Sequence, residues 1–264
     1  MHRLLIFLLA AFSLLGDVAL PAHADDGDFA HWAAVVIAGD WRSHAGGDTE
    51  AFDNTRKDVA AALVKAGFDP ANVRQYSLRP IRRGDDPKIY VSPQTAMVGF
   101  ETGAKTATAG CLFYVSSHGS PDGAVFGPRM ILNPMMLKVT LDQVCGERPT
   151  VVIISACFSG VFVPALAGPN RMVLTAARPD RSSFGCGEAD KYPYFDQCVL
   201  ESLPNSSDFA VLGRTVQGCV AARETKEGMK PPSEPQLYIG AGIKPLLPLL
   251  ALNGGARSPP TQTR

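Results

Sequence analysis

Residues 151–162 read VVIISACFSGVF. A β-branched apolar run leads into one cysteine, followed by a small polar residue, a glycine and a second apolar run. Short runs that are apolar on both faces belong to strands covered on both sides, as in a parallel sheet packed between helices. The stretch predicts a strand over 150–156 that delivers Cys157 at its carboxyl end. Whether Cys157 is a core thiol, half of a disulfide or a nucleophile depends on what the rest of the chain brings to that edge.

Working outward, AAVVIA (33–38), VRQYSL (73–78), CLFYVSS (111–117), RMVLTAA (171–177) and QLYIG (236–240) read as further strands. DNTRKDVAAALVKAGF (53–68) reads as a helix capped by Asp53 or Asn54 and stopped by Gly67. SPQTAMVGFETGA (92–104) reads as a second helix, and NPMMLKVTLDQV (133–144) as a third, with Pro134 at its start. Two more fall within 192–203 and 207–223. The alternation is that of an α/β domain: an open, mostly parallel sheet of about six strands flanked by helices on both faces, a three-layer sandwich. Ligands of such sheets bind at the carboxyl ends of the strands. GDWRSH after the first strand, HGSPDG after the third and Cys157 after the fourth should all open there.

The chain of 264 residues begins MHRLLIFLLAAFSLLGDVALPAHADDG. A basic start, an apolar run and small residues at Ala22 and Ala24 are the layout of a secretory signal peptide over 1–24. An exported protein is expected, periplasmic or secreted, with one domain over 25–250 and a disordered tail over 251–264. Lys plus Arg equals Asp plus Glu, 25 of each, with no charged runs, which argues against nucleic acid or an acidic membrane surface as partner. Export permits disulfides among the six cysteines. No CxxC pair occurs and the spacings do not match a zinc site, so no residue is assigned to a metal and no cofactor is expected. If Cys157 stays free, at least one more must be unpaired. Cys111, inside an apolar strand pattern, reads as the inert core thiol, and pairing among Cys186, Cys198 and Cys219 stays open.

A thiol nucleophile needs a base or an electropositive setting, and a site that stabilises an oxyanion. Of His31, His44 and His118, the histidines beyond the leader, His118 stands just past a strand end, and Gly119 follows it. Glycine lets backbone approach closely and keeps its N–H available. Cys157 ends the neighbouring strand pattern where a helix is expected to begin, and helix N-terminal N–H groups favour a thiolate and an oxyanion.

CLFYVSSHGSPDG followed by VVIISACFSG resembles the legumain-type (asparaginyl endopeptidase) cysteine peptidases of the wider caspase–gingipain group. Members show an apolar strand into His-Gly-Ser and a later one into Ala-Cys-x-Ser-Gly. WAAVVIAGDW, DNTRKD and LTAARPDRSSFG are similar to three further family segments, in the same order, across residues 32–186. The resemblance implies a caspase-like fold and a thiol endopeptidase that cleaves peptide or protein substrates through an acyl-enzyme, after Asn or Asp. It implies Cys157 as nucleophile, His118 as general acid/base, the N–H groups of Gly119 and Cys157 as oxyanion hole, and Asn54 as the group that orients His118. Arg56, Ser182 and Ser183 would line the pocket for the side chain before the scissile bond, with Asp190 adding an acidic group. The plainer alternatives are Asn54 as a helix cap and Arg56 as a solvated first-turn residue. Ser155 departs from the pattern: legumains carry a glutamate there, and its loss beside Arg56 would leave a more cationic pocket. The short stretch after QLYIG is not expected to form a covering prodomain. A non-catalytic binding module of the same fold, and a transamidase using the same acyl-enzyme, are the rival readings.

Overall fold

The computed structural model describes residues 29–252. In chain order the elements are β1 (Trp32–Ala38), α1 (Ala51–Lys65), β2 (Val73–Ser77), α2 (Pro93–Thr106), β3 (Gly110–Ser116), β4 (Gly119–Ser120), β5 (Gly123–Val125), β6 (Ile131–Leu132), α3 (Pro134–Val144), β7 (Thr150–Ser155), α4 (Phe162–Leu166), β8 (Arg171–Thr175), α5 (Tyr194–Ser202), α6 (Phe209–Lys226) and β9 (Gln236–Ile239). The expected leader over 1–24 and the tail from Asn253 lie outside the described residues. Leu252 is buried in the core and its N–H donates to the Ser207 carbonyl, so the domain runs past the expected boundary at 250. No helix among the described residues is long and apolar enough to cross a membrane.

Six strands form one sheet in the order β2-β1-β3-β7-β8-β9. Neighbours are parallel except β8 and β9, which are antiparallel. Alternate residues sort to opposite faces, as the pleat requires. Val36, Tyr114 and Ile153 pack with α1, α5 and α6 on one side. Val35, Phe113 and Ile154 pack with α2, α3 and α4 on the other. Both sets are apolar, which is why each strand reads as a continuous apolar run. From β1 the chain steps outward to β2 and then returns to β3 on the other side of β1. That reversal is a topological switch point, where open α/β sheets form their crevice. The loops after β1 and β3 therefore frame a site.

Helices α2 and α3 start as read, with Ser92 and Asn133 accepting from the N–H groups of Thr95 and Met136. Helix α1 starts earlier than expected, and neither Asp53 nor Asn54 caps it. Both lie inside its first turn, where Asp53 binds Arg56 and Asn54 the Lys191 carbonyl, while Thr49 Oγ1 accepts the Ala51 N–H. HGSPDG, read as a loop, opens a small antiparallel sheet of β4, β5 and β6 whose strands are too short to show a period.

Cys111 is not a free core thiol. It is bonded to Cys145 at the end of α3, and Cys198 on α5 is bonded to Cys219 on α6. The strand pattern showed that Cys111 is buried, but not that the end of α3 lies over it. Cys157 and Cys186 are free.

Candidate active site

Adjacent parallel strands β3 and β7 share a last rung at Ser116 and Ser155. His118 and Cys157 each stand two residues beyond it. The two segments continue side by side, with the Ser117 N–H donating to the Ser155 carbonyl at 2.9 Å. Gly119 lies so close to the Cys157 backbone that a Cβ there would come within 2.1 Å of the Cys157 carbonyl oxygen. A bare Cα is what permits this approach. The chain then reverses in one step. Phe158 is left-handed, with φ of 58°, a conformation that costs an L residue about 1–2 kcal/mol. Its N–H donates to the Arg181 carbonyl at 2.7 Å. A 3-10 turn over Ser159–Val161 follows, and regular helix begins only at Phe162, not at Cys157 as expected.

Cys157 is only 5% exposed. The Ser183 N–H donates to its Sγ at 3.3 Å, and Ser183 Oγ lies at 3.6 Å. Ser183, expected near the scissile bond, thus touches the thiol itself.

His118 is half-buried, and Phe52 packs edge-on against it at 5.0 Å. Its Nε2 lies 2.6 Å from the Arg42 carbonyl oxygen. A carbonyl only accepts, so Nε2 carries the proton and Nδ1 the lone pair. Asp40 fixes that carbonyl: it accepts the N–H groups of Trp41 and Arg42 at 2.8 and 3.2 Å and pairs with Arg42 Nε at 2.8 Å. Burial lowers the His118 pKa below the usual imidazole value. The Arg42 carbonyl and the Asp40 charge oppose that shift, while His44 and the Arg42 guanidinium reinforce it. The ring is neutral at neutral pH.

The remaining sequence-derived residues divide. Asn54 does not orient His118: its amide donates to the Lys191 carbonyl at 3.2 Å, and the Arg42 carbonyl takes the orienting position. Arg56 is buried and pairs with Asp53 at 2.8 and 3.1 Å, and also with Gln75. Burial alone would raise the Asp53 pKa. The Arg56 hydrogen bond and charge, with the Ser77 and Tyr90 hydroxyls, hold it below the usual carboxylate range. The Arg56 charge is thus matched, and no free cation stands there. Ser182 is exposed. Asp190 folds back onto the Gly187 N–H at 2.8 Å, closing its own loop. Ser155 is 2% exposed and turns inward to Asp196 on α5. Asp196 is fully buried and also takes the hydroxyls of Tyr114 at 2.6 Å, Thr55 at 3.1 Å and Ser116. Burial pushes its pKa up to about 6 against these four donors.

Sequence reasoning missed Asp40, Arg42, Asp196 and Cys186. GDWRSH was placed at the right edge, but a carbonyl's role leaves no mark in residue type. An acid on the buried face of α5, between Phe195 and Val199, is the signal for Asp196. Farther along the edge, a cavity of about 600 Å³ opens between Leu78, Tyr90, Pro93 and Met130, and neither His118 nor Cys157 lines it.

No curated protein matches the chain. A solved structure similar to it is caspase-1 from Spodoptera frugiperda, 14% identical with a TM-score of 0.58 over 81% of this chain and 88% of that one. At that identity the likeness is one of fold. The sequence profile described as the peptidase C13 family matches residues 48–218, a span that holds His118, Cys157 and Ser183. With a cysteine and a histidine on neighbouring strand ends of a caspase-like sheet, the chain belongs to the peptidase C13 family, the legumain-type cysteine endopeptidases.

Proposed function

We propose that the protein is an exported endopeptidase in which Cys157 and His118 form a catalytic dyad. His118 Nδ1 takes the thiol proton as Sγ attacks the scissile carbonyl. The developing oxyanion is met by the N–H groups of Gly119 and Cys157. The proton passes from Nδ1 to the leaving amine as the C–N bond breaks, which leaves an acyl-enzyme. Water, deprotonated by the same nitrogen, then releases the acid and restores the thiol. The observation that carries this reading is the shared rung: both residues lie two positions beyond Ser116 and Ser155, with Gly119 packed on the Cys157 carbonyl. The Arg42 carbonyl, which leaves Nδ1 unprotonated, supports it.

Cleavage after Asn is preferred to cleavage after Asp in this reading, because Asp53 matches the Arg56 charge that would attract a carboxylate. Export rests on the leader sequence and on two disulfides, which persist in oxidising compartments. The test compares mature protein with Cys157→Ala and His118→Ala on a mixed peptide library. Each variant should lose on the order of 10³-fold in kcat/KM or more. Cleavage that persists in both would remove the dyad, and faster cleavage after Asp would remove the Asn assignment.

A further inference from the structure

Three donors that take no part in a disulfide converge where the loops after β1, β3 and β8 meet. The ligating atoms of His44, His118 and Cys186 all lie within 4.8 Å of one another. His44 is exposed, His118 half-buried and Cys186 buried, so the cluster has an outer mouth and an inner floor. The two imidazoles sit 4.5 Å apart, centroid to centroid. His118 Nε2 is committed to the Arg42 carbonyl, so its lone pair is on Nδ1. Metal-bound histidines are held in this way by a second-shell acceptor on the other nitrogen.

The loops that carry the outer donors are tied to each other. Ser43 Oγ donates to Glu188 Oε1 at 3.2 Å, and Thr49 Oγ1 donates to the Gly187 carbonyl at 2.8 Å. These bonds bracket His44 on one loop and follow Cys186 on the other. Asp190 places a negative charge near Cys186, while Asp40 beside His118 is paired with the Arg42 guanidinium. Two imidazoles and a thiolate are borderline-to-soft ligands, a set suited to zinc and unsuited to magnesium or calcium. Tetrahedral Zn–N and Zn–S bonds of about 2.0 and 2.3 Å place donors roughly 3.3–3.7 Å apart. The donors lie within 4.8 Å of one another, so binding requires them to draw in by up to about an ångström, with the exposed His44 side chain the least constrained of the three.

We propose that His44, His118 and Cys186 form a zinc site, and that zinc bound there inhibits the peptidase by occupying the Nδ1 lone pair of His118. Zinc accepts an electron pair from each imidazole and from the Cys186 sulfur. The thiol proton leaves to solvent, nothing is oxidised, and a fourth position remains for water. The inhibitory half of the proposal rests on the Cys157–His118 dyad, whereas the site itself does not. His44 and Cys186 are outside the proposed chemistry, so their variants keep cleavage.

The test titrates cobalt(II), then zinc, into the full mature chain and into its Cys157→Ala, His44→Ala and Cys186→Ser variants. One equivalent should bind in the wild type and in Cys157→Ala, with a thiolate-to-cobalt charge-transfer absorption that zinc displaces. That absorption should vanish in Cys186→Ser and weaken in His44→Ala. Zinc should inhibit cleavage, magnesium and calcium should not, and His44→Ala should raise the half-inhibitory zinc concentration about tenfold or more. No charge-transfer absorption, or equal zinc inhibition in wild type, His44→Ala and Cys186→Ser, would overturn the site. Stoichiometric cobalt binding by a protein that cleaves nothing would uphold the site and overturn only its inhibitory role.

Discussion

Four cysteines are oxidised and two are not, and the two groups occupy different regions of the molecule. Cys111–Cys145 ties a strand to the helix layer on one face of the sheet, and Cys198–Cys219 ties two helices within the opposite layer. Cys157 and Cys186 sit between those layers, at the carboxyl edge. Burial does not separate the groups, since Cys111 and Cys157 are both buried. What separates them is whether a second thiol arrives at the right place. In the layers it does, and sulfur becomes a cross-link. At the edge Cys157 and Cys186 are close enough to feel each other's charge yet unbonded, with imidazoles and the Ser183 backbone beside them, and sulfur stays available for chemistry.

The largest expected effect breaks the layers and leaves the edge alone. The disulfides join residues 34 and 21 positions apart, for which the chain-entropy model gives about 4 and about 3 kcal/mol. Urea unfolding of Cys111→Ala/Cys145→Ala, and of Cys198→Ala/Cys219→Ala, should show losses of that order, with cleavage retained below the transition. Losses under about 1 kcal/mol in both would mean that packing alone holds the layers.

Asp196 connects the two regions, because it stands on α5 beside Cys198 yet binds the strand-end hydroxyls beneath the site. A carboxylate whose folded pKa is raised from 3.8 to about 6 favours folding while protonated. That contribution is complete below the unfolded value and is lost as pH rises through about 6. At about 1.4 kcal/mol per unit, roughly 3 kcal/mol is lost between pH 4 and 7. In Asp196→Asn this part of the pH dependence should disappear, since the amide does not ionise. An unchanged slope of unfolding free energy against pH would mean that Asp196 ionises as it does in water.

The strands and helices were legible because both faces of the sheet are apolar and the crossover helices carry Ser92, Asn133 and Gly67 at their ends. Cys157, His118 and Gly119 were legible because each directly follows a strand that the pattern delimits. Cys111 was misread, since a strand's period says nothing about which helix end lies over it. Asn54 and Arg56 were placed by likeness to a motif, and tertiary partners, Lys191 for one and Asp53 with Gln75 for the other, decided their bonds. The donors His44, His118 and Cys186 come from three separate loops, so no spacing along the chain can announce them.

A smaller effect tests how tightly the edge is built. In Gly119→Ala the new methyl would meet the Cys157 carbonyl at 2.1 Å, and backbone has no rotamer with which to retreat. The two segments must part by about an ångström, a displacement that costs on the order of 10²-fold when it separates reacting groups. A fall in kcat/KM of roughly 10–100-fold, with the unfolding midpoint in urea little changed, is expected. Full activity in the variant would show that the edge yields and that close approach is not what sets the geometry.

The smallest effect separates the two free thiols from each other. Cys186 is pushed up to about 12, first by burial and then by the neighbouring Cys157 and Asp190 charges. At pH 8 its thiolate fraction is then about 10⁻⁴, and only the thiolate is alkylated. Iodoacetamide should label Cys157 in the folded protein about tenfold or more faster than Cys186, as read by peptide mass mapping. In Cys157→Ala the remaining labelling reports Cys186 alone and should stay slow, because burial, the first cause of its shift, is unchanged. In concentrated urea both thiols meet solvent and the two rates should converge. Equal rates in the folded protein would mean that the edge does not distinguish its thiols, and that position on the sheet, not local burial and charge, selects Cys157.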